Sequence, residues 1–408
     1  MKLHIRTFGC RANHYDSEMV RALAIEGGYE IVDDVAEADV AVFNSCAVTA
    51  EAERDVRKAV RRAAAGNPKL RSVVMGCASA LPRSRATLSA LPSVQRLVAG
   101  ADRDAIATAL DVPSSIAATT MQTSVRAVLR IQDGCDEHCT FCATTLARGS
   151  NRSRTESDLI DEATRLADFH PEIVLTGTHI GTYGADIDSS LGELVEQLIR
   201  FVPSVRFRLS SVEATEVDDR LADLLTSAPA HLAPHLHAPL QSGSDRVLRR
   251  MGRHWYTSET YARAVERLTS RASVFGLGAD VIAGFPGETD ADFAATERVI
   301  ERLPFTYLHV FPYSPRPATA ATRLPDAVPP SAVQSRSLHL RQLGQTKGSA
   351  YKQQRAGQRA DAVVITTGTD PEAMTEDYLT LPMRGAKRPR GERFVAETRI
   401  EDGALVLY

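Results

Sequence analysis

The stretch Gln132-Asp-Gly-Cys-Asp-Glu-His-Cys-Thr-Phe-Cys142 holds three of the six cysteines of the chain. Its thiols, on Cys135, Cys139 and Cys142, are spaced C-x3-C-x2-C and follow a strand-like apolar run at residues 125–131. Cysteines that cluster in a reducing compartment serve metal or redox chemistry more often than disulfides. The stretch therefore predicts a metal-binding turn at the end of a strand. The kind of metal depends on how many ligands the chain supplies.

The composition is that of an ordinary globular protein and excludes several functional classes. The 408 residues are enough for two or three domains, and 43% of them are apolar. The apolar runs are far too short to cross a bilayer, and the first residues show no signal-peptide core. We expect a cytoplasmic protein with no membrane partner. Because the formal net charge is -3, nucleic-acid binding would need a local basic patch.

Residues 1–112 are predicted to form a small α/β domain. Three apolar runs end in Cys10, Cys46 and Cys77, and a helical pattern follows each of the first two. This spacing is typical of strand–helix units in a parallel sheet, whose strand ends share one edge. Three buried cysteines that only pack as small apolar side chains are the alternative. Their positions at matching strand ends favour a common site.

A linker at about residues 111–122 precedes a long segment, 121–346, in which strand and helix patterns alternate. Six strand candidates lie at residues 125–131, 173–176, 205–209, 235–240, 277–282 and 307–311. Six strand–helix units are too few for a closed eight-unit barrel, so we predict a partial (β/α)6 barrel that is open on one side. The cysteine turn follows the first of these strands, at the carboxyl face where barrel active sites are built.

The last segment, residues 347–408, consists of short β-like runs separated by turns. It is predicted to form a small β-barrel-like domain of roughly 60 residues. One of its loops carries a cluster of basic residues, namely Arg384, Lys387, Arg388, Arg390 and Arg393. Such a run is either a solvated loop or a nucleic-acid contact, and both interpretations stay open at this point.

The number of ligands separates the possible metals. A structural zinc site is closed by four Cys or His ligands, whereas each group of cysteines supplies three. His138 could be a fourth ligand, but C-x2-H-C-x2-C is not a standard zinc spacing. Iron–sulfur clusters that only transfer electrons use four cysteines. Two groups of three therefore favour two iron–sulfur clusters that each keep one iron open for a reactive ligand.

The spacing C-x3-C-x2-C, with the aromatic Phe141 before its last cysteine, resembles the motif of radical S-adenosylmethionine enzymes. These enzymes use a partial (β/α)6 barrel. The resemblance implies that Cys135, Cys139 and Cys142 hold a [4Fe-4S] cluster whose fourth iron binds S-adenosylmethionine. One electron from the cluster would cleave the sulfonium to methionine and a 5′-deoxyadenosyl radical, so that the cofactor carries the difficult chemistry.

Longer motifs resemble the methylthiotransferase family within this class. They are Thr7-Phe-Gly-Cys-Arg-Ala-Asn13, Asn44-Ser-Cys-Ala-Val-Thr49, Gly76-Cys77, Arg148-Gly-Ser-Asn-Arg-Ser-Arg154, Leu240-Gln-Ser-Gly-Ser244, Asp280-Val-Ile-Ala-Gly-Phe-Pro-Gly-Glu288 and Pro312-Tyr-Ser-Pro-Arg316. The resemblance spans nearly the whole chain. It implies that Cys10, Cys46 and Cys77 carry a second [4Fe-4S] cluster, whose open iron holds sulfur or a methylthio group. It also implies a C-terminal domain similar to the TRAM RNA-binding module.

The family divides by substrate into branches that act on isopentenyladenosine in tRNA, on threonylcarbamoyladenosine in tRNA, or on an aspartate of a ribosomal protein. The segment Cys46-Ala-Val-Thr-Ala-Glu-Ala-Glu-Arg54 is most similar to the threonylcarbamoyl branch. The resemblance then implies a tRNA methylthiotransferase that modifies carbon 2 of N6-threonylcarbamoyladenosine at position 37, next to the anticodon. Its partners would be tRNA, an external electron donor and a sulfur source. A non-catalytic, metal-stabilised RNA-binding protein is the alternative from another class.

The resemblance also assigns roles to single residues. It places S-adenosylmethionine against Phe141, Gly177, Thr178, Glu213, Gln241, Ile282 and Gly284. Contacts with tRNA are expected from Arg148, Arg152 and Arg154, and from Arg384, Lys387, Arg388 and Arg390. One motif departs from the family, since Ala143-Thr-Thr145 stands where bulky residues and a proline are usual, which changes the expected shape of the loop. His235 and His237 alternate on one predicted strand, a pattern more typical of packing or hydrogen-bonded histidines than of ligands.

Overall fold

The computed structural model describes residues 1–47, 49–114 and 121–408, which divide into two compact units. Unit 1 comprises Met1–Thr123, Gln132–Arg152 and Ser314–Thr322. Unit 2 comprises Ser124–Ile131, Ser153–Tyr313 and Arg323–Tyr408. Half of the predicted linker, residues 115–120, lies outside the described residues. The segment that holds Cys135, Cys139 and Cys142 therefore belongs to the same unit as the N-terminal cysteines.

The sheet of unit 1 has the predicted parallel architecture. Its strands run in the order β2-β1-β3-β4-β5, and every neighbouring pair is parallel. The strands are β1 (Lys2–Thr7), β2 (Glu30–Ile31), β3 (Val40–Ser45), β4 (Arg71–Gly76) and β5 (Val94–Leu97). The helices are α1 (Arg11–Glu26), α2 (Ala50–Gly66), α3 (Cys77–Ala80), α4 (Pro82–Ser89) and α5 (Arg103–Leu110). Every residue of β3 is buried, as expected for a central parallel strand covered on both faces.

Six parallel strands of unit 2 form the predicted partial barrel. Three of them pair in the order β10-β9-β6 and three in the order β11-β12-β13, and a parallel bridge between Ser211 and His237 joins the two groups. No pairing joins β6 to β13 among the residues that the structure describes, so the barrel is open. Strands and short extended pairs from this part of the chain are β6 (Ala127–Arg130), β7 (Gln132–Asp133), β8 (Arg152–Ser153), β9 (Glu172–Thr176), β10 (Arg206–Leu209), β11 (His235–His237), β12 (Gly276–Ala283) and β13 (Tyr307–Pro312).

Each barrel helix begins where the sequence supplies a hydrogen-bonding cap. The side chains of Thr155, Ser190, Asp218, Ser244, Thr257 and Thr289 accept a hydrogen bond from the backbone N–H two or three residues into the next helix. The helices in order are α6 (Thr144–Arg148, in unit 1), α7 (Glu156–Ala167), α8 (Leu191–Phe201), α9 (Asp219–Ser227), α10 (Asp245–Arg250), α11 (Ser258–Thr269) and α12 (Asp290–Arg302). Their apolar faces are buried, which is the pattern that the sequence predicted.

The C-terminal segment follows a long helix, α13 (Pro330–Arg355), and folds into an antiparallel sheet with the order β16-β15-β14-β17-β18. Its strands are β14 (Arg359–Thr366), β15 (Glu372–Thr375), β16 (Thr380–Pro382), β17 (Arg393–Glu401) and β18 (Ala404–Leu407). A bridge between Met383 and Leu407 brings the two sheet edges together, so the sheet is nearly closed as predicted. No helix in the described parts of the chain is long and apolar enough to cross a membrane.

A buried ion-pair group joins the barrel strands to the C-terminal sheet within unit 2. Glu172 on β9 accepts hydrogen bonds from Arg206 Nε and Arg208 Nε at 2.8 and 2.7 Å, and all three side chains are fully buried. Arg208 also donates to the backbone carbonyls of Thr375 and Glu376, each at 3.0 Å. Burial acts to raise the pKa of Glu172, but the charges of Arg208 and Arg206 outweigh it and hold that pKa well below its ordinary value.

Candidate active site

The structure brings Cys10, Cys46 and Cys77 together at one edge of the N-terminal sheet. Cys46 directly follows β3, Cys77 directly follows β4, and Cys10 lies three residues beyond β1, on a strand that pairs with β3. Gly9 makes this approach possible, because a Cβ atom there would lie 2.8 Å from Cys46 Sγ. Its φ of +110° also favours glycine. The predicted convergence of the three strand ends is therefore present.

Two asparagines connect the helix that follows Cys10 to the end of β3. Asn13 Nδ2 donates to Asn44 Oδ1 at 2.9 Å and to the Ser45 carbonyl at 3.0 Å, and Asn44 Nδ2 donates to the Asn13 carbonyl at 2.7 Å. The Cys10 thiol lies 3.4 Å from Asn13 Oδ1. Cys46 and Cys77 are buried whereas Cys10 is exposed, so this group of thiols is open on the Cys10 side.

Backbone hydrogen bonds shape the turn that carries Cys135, Cys139 and Cys142. The Cys135 N–H donates to the Gly149 carbonyl at 3.0 Å, and the Cys142 N–H donates to the Cys139 carbonyl at 3.1 Å. The Thr144 N–H, at the start of α6, donates to Cys142 Sγ at 3.3 Å. All three cysteines are half-buried, and so is Phe141. The thiolate is the form of cysteine that binds metals, and a backbone N–H can donate a hydrogen bond to such a sulfur.

Arg148, in the last turn of α6, links the two groups of cysteines within unit 1. Its Nε donates to Cys77 Sγ at 3.2 Å, Nη2 to Asp16 at 2.7 Å, and Nη1 to Asp133 at 3.0 Å. Its side chain is only 3% exposed. Burial acts to lower the pKa of Arg148, but Asp16, Cys77 and Asp133 outweigh it and raise that pKa, so the guanidinium stays charged.

The environment of Cys77 follows from these contacts. Burial raises the pKa of the Cys77 thiol to about 12, and the charge and hydrogen bond of Arg148 act in the opposite direction. Without a metal the thiol is therefore protonated at neutral pH. Binding of a metal at Cys77 must release that proton, and the Arg148 guanidinium favours the thiolate that remains.

The residues expected to contact S-adenosylmethionine in unit 2 share the carboxyl edge of the barrel strands. Gly177 and Thr178 follow β9, Glu213 follows β10, Gln241 follows β11, Ile282 lies near the end of β12 and Gly284 follows it. Glu213 is buried and pairs with Arg253. Burial raises the pKa of Glu213 above its ordinary value, and Arg253 acts against this shift. The Gln241 carbonyl accepts a hydrogen bond from the Ile282 N–H at 2.9 Å, which holds β11 and β12 together at this edge.

The arginines expected to contact tRNA differ in their environments. The Arg148 guanidinium is buried and bound to two carboxylates. Its expected contact with tRNA stays a prediction. Arg154 pairs with Glu162 at 2.8 Å and donates to the Arg130 carbonyl at 3.0 Å, whereas Arg152 is exposed.

The basic loop of the C-terminal sheet is partly neutralised by its own acids. Arg384 pairs with Glu401 at 2.8 Å, and Arg388 pairs with Glu392 and lies over the Phe394 ring. Lys387 and Arg390 are exposed. The contacts of these basic residues with tRNA stay predictions.

The role of Arg148 is the functional feature that the sequence reasoning missed. Its partners Asp16, Cys77 and Asp133 lie in three distant segments, so no local pattern could connect them. The available signal was the position of Arg148 within the cysteine loop, six residues after Cys142. That position indicates proximity to the second group of cysteines but not to the first.

Two family profiles match the chain. Residues 2–100 match the profile described as "Uncharacterized protein family UPF0004", and residues 129–300 match the "Radical SAM superfamily". Among solved structures, the chain is similar to the radical S-adenosylmethionine methyltransferase TsrM from Kitasatospora setae. That likeness has a TM-score of 0.56 and 16% identity and covers 77% of this chain and 76% of the other. It supports the fold alone.

Curated relatives match over almost the full length. The threonylcarbamoyladenosine tRNA methylthiotransferase MtaB of Aquifex aeolicus is 33% identical over 95% of this chain and 98% of its own. The tRNA-2-methylthio-N(6)-dimethylallyladenosine synthase of Acidithiobacillus ferrooxidans is 35% identical over 89% of this chain and 86% of its own. With both groups of cysteines, the parallel N-terminal sheet and the partial barrel in place, the chain belongs to the MtaB-like radical S-adenosylmethionine methylthiotransferase family.

Proposed function

We propose that this protein is a cytoplasmic enzyme that inserts a methylthio group at carbon 2 of N6-threonylcarbamoyladenosine, at position 37 of tRNA. The observation that carries the proposal is the similarity to a threonylcarbamoyladenosine tRNA methylthiotransferase across 98% of that relative's length. The enzyme needs tRNA as substrate, together with an external electron donor and a source of sulfur.

Dimethylallyladenosine in tRNA is the second candidate substrate. It is favoured by the 35% identity to a synthase of that modified nucleoside. That similarity covers 86% of the relative, against 98% for the threonylcarbamoyl enzyme, so the second match leaves more of the relative unaccounted for. The two candidates share the same chemistry and differ in the group on N6 of the adenine.

As a member of the radical S-adenosylmethionine class, the enzyme uses S-adenosylmethionine and a [4Fe-4S] cluster. We assign this cluster to Cys135, Cys139 and Cys142, where three half-buried thiols and the N–H of Thr144 suit thiolate ligands. When bound, the cluster supplies the electron that cleaves S-adenosylmethionine. The carboxyl ends of the barrel strands, with Gly177, Gln241 and Ile282, are the proposed contacts for that cofactor.

A second [4Fe-4S] cluster is proposed at Cys10, Cys46 and Cys77. Three cysteine ligands at one sheet edge, with a buried cation beside Cys77, support this assignment over a zinc site closed by four ligands. When bound, this cluster would hold the sulfur or methylthio group that is transferred, at its open iron. Cys46 and Cys77 anchor it on the buried side, and the exposed Cys10 leaves the other side accessible to substrate.

Anaerobic reconstitution and nucleoside analysis test the proposal. We expect about eight iron atoms per chain from two [4Fe-4S] clusters. With reductant, S-adenosylmethionine and tRNA that carries threonylcarbamoyladenosine, mass spectrometry should detect the 2-methylthio derivative. A yield of about four irons, or zinc in their place, would contradict the two-cluster assignment. Absence of 5′-deoxyadenosine would favour a non-catalytic RNA-binding protein.

Cysteine variants separate the two sites. Cys135→Ala should abolish cleavage of S-adenosylmethionine, because the cluster that provides the electron loses a ligand. Cys10→Ala should retain cleavage but lose methylthiolation. The measurements are 5′-deoxyadenosine by chromatography and the modified nucleoside by mass spectrometry. If both variants lost cleavage equally while each kept the iron of the other site, the division of labour between the sites would be wrong.

A further inference from the structure

Three side chains on the last strands of the barrel form a compact group that the proposed methylthiolation does not use. His237 Nε2 lies 2.9 Å from Asp280 Oδ1, and His309 Nδ1 lies 3.3 Å from the same oxygen. Among the residues that the structure describes, this is the one group of three or more His, Cys, Asp or Glu whose ligand atoms all lie within 4.8 Å of one another. All three residues belong to unit 2.

The strand register holds these side chains in place. His237 ends β11, Asp280 lies on β12 and His309 lies on β13, and the three strands are consecutive in one parallel sheet. Asp280 pairs directly with His309, and Gly278 pairs with both His237 and Tyr307. Residues two apart on a strand face the same side, so the group lies on one face of the sheet. The backbone, and not a mobile loop, therefore positions all three ligands.

Tyr307 contacts His237, the more buried of the two histidines in this group. Its hydroxyl lies 3.0 Å from His237 Nδ1 and 2.8 Å from His235 Nε2, and His237 is only 6% exposed. The Tyr307 ring occupies the space beside Gly278, where an added Cβ would lie 2.0 Å from the ring carbon Cζ. A residue without a side chain is needed here for the tyrosine to reach the histidine.

This contact is compatible with the imidazole tautomer that binds a metal, because the Tyr307 hydroxyl can either accept or donate a hydrogen bond. When His237 Nδ1–H donates to the Tyr307 oxygen, the hydroxyl can donate in turn to His235 Nε2, and the lone pair of His237 Nε2 points toward Asp280. Histidines that bind metals commonly hold their second ring nitrogen in such a hydrogen bond, which sets the tautomer and the ring orientation.

We propose that His237, Asp280 and His309 bind a divalent transition-metal ion such as Zn2+ or Fe2+. Two imidazoles and one carboxylate favour these ions over Mg2+ and Ca2+, which prefer oxygen ligands. Bonds of 2.0–2.2 Å in a tetrahedron place ligand atoms roughly 3.3 Å apart. The two histidine nitrogens lie 2.9 and 3.3 Å from the Asp280 oxygen, within a few tenths of an ångström of that value, and all three ligand atoms lie within 4.8 Å of one another. The ligands supply three positions and leave at least one open.

The metal would be exchangeable and would connect the edge strand of the open barrel to its neighbours. The His309 side chain is 53% exposed, so the ion can enter from solvent. The same contacts without a metal form a hydrogen-bonded group in which both imidazoles donate to Asp280. Binding of a metal ion converts the hydrogen-bonded group into a metal-bound one. None of the three ligands is a cysteine, so this binding can be measured separately from the methylthiolation reaction.

The test uses the full-length protein with its iron–sulfur clusters reconstituted, so that the cysteines are occupied, and then treated briefly with a chelator. Zinc chloride is added anaerobically and binding is followed by calorimetry, with zinc-edge X-ray absorption to identify the ligands. We expect one zinc per chain with nitrogen and oxygen ligands at about 2.0–2.1 Å. His309→Ala and Asp280→Asn should each weaken zinc binding at least tenfold.

His339→Ala is the matched control. His339 is also 53% exposed and also pairs with a carboxylate, Glu297. Among the residues that the structure describes, it belongs to no group of three such ligands. This variant should bind zinc as the wild-type protein does. The proposal is overturned if the wild-type protein binds no zinc, if zinc takes sulfur ligands, or if His309→Ala and His339→Ala bind equally well. Circular dichroism of each variant shows that a loss of binding does not come from unfolding.

Discussion

At the scale of single residues, Arg148 contacts three distant segments of the N-terminal unit. One guanidinium donates to a thiol of the first group of cysteines and to Asp133, which lies two residues before the second group. Asp16, on α1, accepts a third hydrogen bond and compensates the positive charge of Arg148. Arginine suits this position because its planar fork serves three partners at once, whereas the single ammonium of lysine cannot.

Arg148→Lys should weaken the N-terminal site without removing charge. Removal of one partner from a buried ion pair lowers the free energy of unfolding by roughly 3–5 kcal/mol. Because lysine keeps part of the interaction, we expect the free energy of unfolding of this variant to fall by only a fraction of that amount. We also expect a changed electron paramagnetic resonance signal for the cluster at Cys10, Cys46 and Cys77, because the N–H donor to Cys77 is lost. Thermal unfolding and the resonance spectrum of the reconstituted protein measure the two effects.

Arg152→Lys is the control for that experiment, because Arg152 lies four residues away in the same loop and is exposed. Its effect on stability should stay within about 0.5 kcal/mol. If Arg152 contacts a tRNA phosphate, Arg152→Ala should reduce the salt dependence of tRNA binding by about one unit of the log–log slope. Equal spectra for Arg148→Lys and Arg152→Lys would remove the role assigned to Arg148.

The cysteines show what sequence can predict at this scale. Cys10, Cys46 and Cys77 follow three strands of one parallel sheet, and the parallel architecture itself brings them together. The contacts of Arg148 could not be predicted in the same way. They depend on where α6 packs, and its partners at positions 16, 77 and 133 share no periodic pattern.

At the scale of secondary-structure elements, Glu172 joins barrel strands β9 and β10 to the C-terminal sheet. Arg206 and Arg208 lie on the same face of β10, and both are fully buried against Glu172. An Arg-Phe-Arg-Leu strand would ordinarily be expected to expose its arginines. Glu172, together with Asp361 beside Arg206, allows the opposite arrangement, because the two carboxylates compensate the two positive charges.

Glu172→Gln should lower the free energy of unfolding by roughly 3–5 kcal/mol, because buried Arg208 loses its paired carboxylate and Arg206 keeps only Asp361, while the side chain at 172 keeps its shape. Chemical denaturation followed by circular dichroism measures this change. Glu193→Gln is a suitable control, since Glu193 forms a surface pair with Arg220 that is worth at most about 1 kcal/mol. A similar loss in both variants would show that the buried pair has no special weight.

The C-terminal sheet should respond to pH through Glu376. Burial first, and the charge of Asp377 second, raise the pKa of Glu376 to about 7, while Arg355 acts against the shift. The folded protein therefore keeps a proton on Glu376 at pH values where the unfolded chain has lost it. The stabilisation from this group is complete below the ordinary carboxyl pKa and is lost as pH rises to about 7.

Glu376→Gln should remove that dependence, because the amide stays neutral throughout. Melting temperatures between pH 5 and pH 8 should fall less steeply for the variant than for the wild-type protein. If the melting temperatures of the two proteins changed with pH in parallel, the raised pKa of Glu376 would be wrong.

Some short elements of the fold were not predicted, for a physical reason. β15 has only Ala373 and Met374 as apolar residues, and α10 contains three arginines in six residues, so neither has a periodic pattern of its own. Both form because neighbouring elements supply their partners, as when β15 pairs with β14 and β16. The six barrel strands, by contrast, all appear where the apolar runs predicted them.

At the scale of the whole molecule, the order of the segments along the chain differs from their grouping in space. Residues 132–152 and 314–322 belong to the compact unit of the N-terminal residues, and the C-terminal sheet belongs to the unit of the barrel. Local patterns cannot show this grouping, because it rests on contacts between distant segments. One result is that all six cysteines lie in a single unit.

Methylthiolation of threonylcarbamoyladenosine in tRNA is the reaction proposed for this chain. The most direct measurement is mass spectrometry of tRNA nucleosides from a strain that lacks the gene, and from the same strain that carries the wild-type chain or Cys10→Ala. We expect loss of the 2-methylthio derivative of threonylcarbamoyladenosine with accumulation of its precursor, and restoration by the wild-type chain alone. An unchanged level of that derivative, with loss of 2-methylthio-dimethylallyladenosine instead, would contradict this proposal.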